Sequence, residues 1–412
     1  MIYKDENLNV LARHFETIED PRGEQGKLHR LIDIFVLTIY GALWGFSDLT
    51  NMALALKYKE EYFKELLGLK HGVPSHDTFS AVFSIIHPQE FLECFLNWMA
   101  EILTLKGKHV AIDGKAVRAA CEKVHGKQAP VLVNAFVVEM GLCVGQIRVD
   151  EKTNEIKGIP ELIEWLDLEG AVVSIDAIGC QKEIAELLLQ KGADFVFQVK
   201  DNQRTLRDNI FFEIGTQIKE KNICDANSKR LAKKGIKADL QPNAKFDVFQ
   251  TSERNHSRIE RRTCYVLNDN ACVDRDEWPH IASVGMVFRE RLIVKKGADG
   301  EIIDGEPSYE HAIFAMSKTM DAQEFDCYTR GHWGIENSLH WVLDDFFRED
   351  RCTARVEHAT QNLALMRKII FNLTKLDINV KGMSMKAKQI YYQNNPDAIA
   401  ELIFCNIQNT AN

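Results

Sequence analysis

Between Lys108 and Lys200 the chain reads as three short β-rich runs followed by helix, strand, helix and strand. The runs are HVAIDGKAV, VLVNAFVVEM and LCVGQIRVDEKT, parted by polar or glycine-containing turns. Their valine and isoleucine content suits strands buried in a sheet. NEIKGIPELIEWLDL then has helical spacing, with Pro160 in the first turn, where a missing N–H costs little. AVVSIDAI reads as a buried strand, CQKEIAELLLQKG as an amphipathic helix stopped by Gly192, and DFVFQVK as a further strand. Three meander strands followed by α/β crossovers build a mixed sheet flanked by helices.

That order matches a ribonuclease H-like core of the α/β class and does not match a Rossmann half. The hundred residues before it read as helical. LIDIFVLTIYGALWGF is almost wholly apolar, and HGVPSHDTF breaks the pattern before Ser75 or Asp77 caps the next helix. From about Asp201 to Cys327 the periodicity loosens, and FDVFQTSERNHSRIERRTCYVL and ASVGMVFRERLIVKK alternate as strands. Helical chain resumes with GHWGIENSLHWVLDDFF and EHATQNLALMRKIIFNLTKL. The expected organisation is an all-helical region over 1–105 and a core domain over 106–375, with a β-rich insertion at about 205–325. Residues 376–412 read as a polar appendage with one apolar stretch, AIAELIF.

The net charge of -9 weakly opposes a nucleic-acid partner, which makes two basic stretches, SKRLAKKGIK and RIERR, stand out as phosphate contacts. Ten cysteines are scattered without a CxxC pair, so neither a disulfide scaffold nor a zinc site is expected, and a reducing compartment fits. MIYKDENLNVLARHF lacks the pattern of a signal peptide, and no apolar run reaches bilayer-spanning length. These features predict a cytoplasmic protein with no membrane partner.

Asp113 in VAIDG and Asp176 in VVSIDA stand where strands end. A carboxylate beside four apolar residues is costly to bury unless paired, hydrogen-bonded or metal-bound. Ligand sites in α/β sheets gather at the carboxyl ends of strands. The alternative for either residue is a turn or helix cap. A third carboxylate comes from HWGIENSLHWVLDDFFRED, which offers Glu336, Asp344, Asp345, Glu349 and Asp350. Glu336 is favoured because large apolar and polar residues mix around it. His332, Glu336 and His340, spaced i, i+4, i+8, are expected on one helix face, where a buried polar network is the alternative to a site. Three carboxylates suit two hard divalent ions clamping a phosphodiester.

Taken together, DPRGEQGKLHRLIDIFVLTIYGALWG, GVPSHDTFSAVF, AIDGKAVR, NEIKGIPELI, VVSIDAIGCQKEIAELLLQKGADFVFQVKDNQ, HWGIENSLHWVLDDFFRED and ATQNLALMRKI resemble the ISAs1 family of insertion-sequence transposases. That family, which includes the H-repeat-associated proteins, lies within the IS4-like DDE group. The resemblance implies a ribonuclease H-like DDE domain whose catalytic, metal-holding acids are Asp113, Asp176 and Glu336. It implies Mg²⁺-dependent nicking of double-stranded DNA at element ends, with Mn²⁺ substituting, and transfer of the freed 3'-hydroxyl to target DNA. A homodimer in a synaptic complex is the mechanistic expectation. The wider group's Y-x2-R-x3-E-x6-K signature is not kept, because Thr329, His332 and Leu343 occupy its tyrosine, arginine and lysine positions. Lys115, Arg118, Lys200, Asn202, Arg330, His332 and His340 are the candidate DNA contacts. The rival readings are a catalytically inactive relic, a nuclease that cuts without joining, and a non-enzymatic DNA-binding protein.

Overall fold

A computed structural model describes residues 10–24, 27–120, 129–149, 155–232, 246–255, 258–296, 302–304, 306–354 and 356–404. The chain divides into two compact units. The first comprises residues Met1–Lys106, Ile112–Asp167 and Gly334–Asn412, and the second Gly107–Ala111 and Leu168–Trp333.

The first unit begins with α1 (Val10–Glu16), α2 (Leu31–Leu43), α3 (Leu49–Lys57), α4 (Glu60–Leu67), α5 (His76–Ile85) and α6 (Pro88–Ile102). Asp48 and Ser75 cap α3 and α5 by accepting backbone N–H bonds, as their residue types favour. The apolar run of α2 is buried almost all round, with Ile34, Phe35, Val36, Leu37, Ile39 and Tyr40 fully inside. The end of strand β1 (His109–Ala116), β2 (Val131–Val137) and β3 (Leu142–Val149) follow, then α7 (Glu155–Trp165). The strand order in this unit is β3-β2-β1, with β2 and β3 antiparallel.

Both faces of β2 are covered, which is why its sequence is apolar but for Asn134. Gly158 lets α7 seat on one face: a Cβ there would lie 2.6 Å from Val149 and 3.3 Å from Val133. On the other face Leu132 joins Ala364 in a small buried cluster.

The second unit holds the start of β1, then β4 (Val172–Ile175), α8 (Lys182–Gln190), β5 (Asp194–Val199) and α9 (Arg204–Ala232). It continues with β6 (Phe246–Asn255), β7 (Arg258–Leu267), β8 (Ser283–Lys296), β9 (Ile302–Asp304), β10 (Ser308–Met316) and α10 (Ala322–His332). The order is β1-β4-β5-β10-β8-β7-β6, with β9 paired to β8. The β4–β5 pair is parallel and the pairs from β5 through β10, β8, β7 and β6 are antiparallel, so the sheet is mixed as expected. Val196, Cys264, Val266, Val287, Phe314 and Met316 form its core against Phe325 of α10.

The insertion opens with a helix, α9, where the sequence shows only loose periodicity. Leu206, Ile210 and Ile214 make one buried stripe at helical spacing on a mostly polar segment that also exposes Phe211 and Phe212.

The first unit resumes with a π-helical turn at Ile335–His340, then α11 (Trp341–Asp345), α12 (Ala359–Leu376), α13 (Met385–Asn394) and α14 (Pro396–Phe404). The segment that read as an appendage packs into this unit, and Tyr392, Ile399, Ile403 and Phe404 are fully buried. Trp44 Nε1 donates to Tyr392 O at 3.1 Å, and Tyr40 Oη donates to Pro396 O at 3.0 Å. Gly45, at φ 94°, turns the chain where any Cβ would overlap the Gln389 side chain. Among the described residues, no helix is long and apolar enough to cross a membrane.

Candidate active site

Asp113 belongs to the first unit. It stands on β1 where the strand passes from fully buried (His109–Ile112) to half-buried. The His340 imidazole lies beside it, with Nδ1 3.6 Å from Asp113 Oδ2. Nε2 of the same ring is 3.4 Å from Asn134 Nδ2, so β2 supports the imidazole from behind. Gly114 next to Asp113 is an obligatory gap, because a Cβ there would lie 2.0 Å from Oε1 of the buried Glu155. Sequence reasoning missed Glu155, although it sits in the NEIKG fragment and faces the glycine of DGK.

Glu336, also in the first unit, lies in the π-helical turn and is exposed, while Ile335 and Leu339 on either side of it are fully buried anchors. Such turns insert one residue into a helical register and occur frequently at functional sites. Glu336 and His340 do not share the expected helix face. In a π-turn hydrogen bonds span five residues, so side chains at i and i+4 no longer stack, and here His340 is buried while Glu336 is exposed. His332 is committed elsewhere, as described below.

Three of the other acids of this segment are drawn to a cation. Lys115 is buried, and its Nζ lies 2.5 Å from Asp344 Oδ1, 3.2 Å from Glu349 Oε2 and 3.3 Å from Asp350 Oδ1. Burial opposes its charge, but Glu349, Asp344 and Asp350 together raise its pKa. Glu349 is fully buried and also meets Lys368 Nζ at 3.2 Å. Burial would push the Glu349 carboxyl up, yet Lys368, Lys115 and Arg367 outweigh it and hold the group at about 2. Of the five acids considered for the third position, Asp344, Glu349 and Asp350 are therefore paired internally, and Glu336 and Asp345 face solvent. Arg118 is exposed, 3.8 Å from Asp350.

Asp176 belongs to the second unit and follows the wholly buried β4. Its Oδ1 accepts the Ile178 N–H at 3.0 Å, capping a short 3₁₀ turn. Asn202 Nδ2 donates to Ala177 O at 2.6 Å and Gln203 Nε2 donates to Cys180 O at 3.0 Å, so the turn after β5 braces the turn after Asp176. Lys200 at the same strand exit is exposed.

Behind Asp176, Ser174 Oγ lies 3.0 Å from His332 Nδ1 and 2.7 Å from His109 Nε2. One hydroxyl bridging two ring nitrogens donates to one imidazole and accepts from the other, so the two tautomers are coupled. Burial lowers the His332 pKa, with Asp176 pulling the other way. Burial, aided by His332, lowers His109 to about 3. Arg330 is held by Asp326 at 2.9 Å, Glu253 at 2.7 Å and Thr251 at 2.7 Å. Of the basic SKRLAKKGIK stretch, residues 233–237 lie outside the described residues.

Three carboxylates, two half-buried and one exposed, offer the hard oxygen donors that Mg²⁺ and Mn²⁺ prefer. Among the described residues, no group of three or more His, Cys, Asp or Glu side chains is already gathered to hold a metal ion.

Two family models match the chain. One is described as DDE_Tnp_1-associated and covers residues 12–99, and the other is described as Transposase DDE domain and covers residues 104–373. The "H repeat-associated putative transposase YhhI" of Escherichia coli K12 is 32% identical over 373 residues, covering 90% of this chain and 91% of its own. The protein YbfL of the same strain has the same identity and coverage. A solved piggyBac transposase synaptic complex with hairpin DNA aligns over 98% of this chain and 79% of its own at 11% identity, with a TM-score of 0.40. The helical region and the acids Asp113, Asp176 and Glu336 thus fall within family matches covering nearly the whole described chain, which belongs to the DDE transposases, in the H-repeat-associated, ISAs1-type branch of the IS4-like group.

Proposed function

We propose that the chain is a metal-dependent DNA transposase that cleaves phosphodiester bonds at the ends of its insertion sequence and joins the freed 3'-hydroxyl to target DNA. The observation that carries this reading is the Transposase DDE domain match over residues 104–373, a span that contains Asp113, Asp176 and Glu336. These three are the catalytic residues and hold Mg²⁺, or Mn²⁺ in its place. When bound, the ions activate the attacking oxygen and stabilise the leaving one.

The chain's own residues set the stage. The start of β1, the strand that later carries Asp113, is next to β4, which Asp176 ends, within the second unit. Ile178 N–H fixes one oxygen of Asp176 and leaves the other for a ligand. Lys115 neutralises three competing acids, which leaves Glu336 and Asp345 as the exposed carboxylates of the segment, and Glu336 is the one set in the π-helical turn. The DNA contacts rest on Arg118 and Lys200, which are exposed, with Asn202, Arg330, His332, His340 and Lys115 shaping the surface they serve. In this reading residues 1–105 form the associated helical domain, 106–375 the catalytic domain and 376–412 a C-terminal extension. The protein works in the cytoplasm as a homodimer, which lets two DNA ends be cut in register.

The test is strand cleavage of labelled duplex carrying the DNA that flanks the gene, with Mg²⁺ or Mn²⁺. Wild type is compared with Asp113→Asn, Asp176→Asn and Glu336→Gln. The expected result is products ending in 3'-hydroxyls and joined strands, both lost in all three variants while DNA binding persists. Wild-type binding without cleavage under either ion would overturn the reading in favour of an inactive relic.

A further inference from the structure

The insertion sheet carries arginines directly opposite one another. In the β7–β8 register Arg262 faces Arg289 and Glu260 faces Arg291, and in the β8–β10 register Glu310 faces Arg289. Cys264 and Val287, one step along the same face, pack with Phe325 of α10, so these side chains share the face that α10 covers. Like charges opposite one another destabilise a sheet unless each is compensated.

All but one are compensated. Arg262 Nε meets Asp326 Oδ1 at 2.5 Å, and its Nη2 donates to Thr329 Oγ1 at 2.7 Å. Arg291 is held by Glu310 at 2.8 Å and Glu260 at 3.3 Å. Arg289 differs: among the described residues no carboxylate pairs with it, and its Nε is buried without a hydrogen-bond partner. Its guanidinium carbon lies 6.0 Å from the centroid of the Trp333 ring, within cation–π range, and Trp333 is 39% exposed. Burial and then the neighbouring charges of Arg262 and Arg291 lower the Arg289 pKa, outweighing the opposite pull of Glu260 and Glu310, neither of which pairs with it.

We propose that Arg289, backed by the Trp333 ring, is a phosphate-binding site on the insertion sheet that takes a backbone phosphodiester of the DNA substrate. A planar guanidinium presents two N–H groups to two phosphate oxygens at once, and the Trp333 ring beside it favours the cation at that place. The residue supplies a cationic phosphate contact in a chain that has His332 and Leu343 where the wider group carries arginine and lysine. This site rests on the transposase reading above.

The test is the affinity for a fluorescent duplex carrying the gene-flanking DNA, measured by anisotropy across a salt series for wild type, Arg289→Ala and Arg289→Lys. Arg289→Ala should weaken binding about tenfold to a hundredfold, the range for a charge-assisted contact. It should also make the slope of log K against log salt shallower by about one. Arg289→Lys should keep the slope and recover part of the affinity. An unchanged slope overturns the site even where affinity falls, since a purely structural role releases no counter-ion. If Arg289→Ala does not fold, Arg289→Met keeps a long side chain over Trp333 and is judged by the same slope. Wild type that fails to bind DNA overturns the transposase reading itself, and this site with it.

Discussion

The imidazole of His340 stands 3.6 Å from the carboxylate of Asp113, held from behind by the Asn134 amide on the neighbouring strand. A ring so placed orients the carboxylate from outside any metal shell, and groups in that position typically tune affinity or activity about 10–100-fold. His340→Ala should lower the cleavage rate and raise the Mg²⁺ concentration needed for half-maximal cleavage by a factor in that range. His340→Gln, which keeps a donor near the carboxylate, should recover part of both. A Mg²⁺ titration of cleavage for the two variants is the check, and an unshifted midpoint would remove His340 from the site.

The Ser174 bridge predicts a specific acid sensitivity. His109 has its pKa at about 3 in the folded protein, chiefly through burial, against an ordinary value of 6.5. Between those values the unfolded chain binds a proton that the folded chain does not. Stability is therefore complete above about pH 6.5 and falls with acid, by up to about 1.4 kcal/mol per pH unit. Urea unfolding at pH 6.5 and pH 5, a window above the Glu349 transition, should show this slope in wild type and a flatter one in His109→Gln. Ser174→Ala leaves buried ring nitrogens unpartnered and should cost about 1–3 kcal/mol at neutral pH.

Glu349 and Lys368 are both fully buried and 3.2 Å apart. Removing one partner of such a pair leaves an uncompensated charge, at a typical cost of about 3–5 kcal/mol. Lys368→Met should thus destabilise the fold in chemical denaturation, by less than that amount because Lys115 still faces the Glu349 carboxylate at 3.2 Å. The Glu349 carboxyl, held at about 2 by Lys368, Lys115 and Arg367 against the opposing effect of burial, contributes stability that is full above its ordinary 4.5. That contribution is lost as pH falls from about 4.5 towards 2. Glu349→Gln should remove this acid transition along with the stability.

Asn372 of α12 serves the backbone of β3. Its Nδ2 donates to Cys143 O at 2.7 Å and its Oδ1 accepts from Cys143 N at 3.0 Å, beside the irregular step in the β2–β3 register. β3 is the outer strand of its unit's order, so no further strand is available to take over those groups. Asn372→Leu should cost about 1–3 kcal/mol for each backbone group left unpaired. Amide exchange should quicken at Cys143 while the middle of β2 stays protected.

Much of this was legible in the residues. The strand order from Lys108 to Lys200 could be read because each run is rich in valine, isoleucine and other apolar residues and each break carries turn chemistry, and the sheet follows it. Asp113 and Asp176 stood out as charges after apolar runs; β4 ends before Asp176, whereas β1 continues past Asp113 to Ala116. Other features leave no local mark. The π-helical turn is a slip of hydrogen bonding, invisible to a pattern search at helical spacing. The fate of Lys115 was hidden because its partners lie more than two hundred positions downstream, and a lysine after DG reads as exposed until they are placed around it. Helix α9 was obscured by its polarity, since three apolar residues carry its buried stripe.

The packing of α13 and α14 against α2 carries a consequence for biosynthesis. Trp44 and Tyr40 bond to backbone carbonyls 348 and 356 positions further along the chain. A ribosome delivers the apolar α2 first, at about 5–20 residues per second. That helix then waits some tens of seconds for the segment that covers it. Through that interval its exposed surface is a natural target for chaperones, and a message cut short before Tyr392 would yield a nascent chain whose first helices can never close.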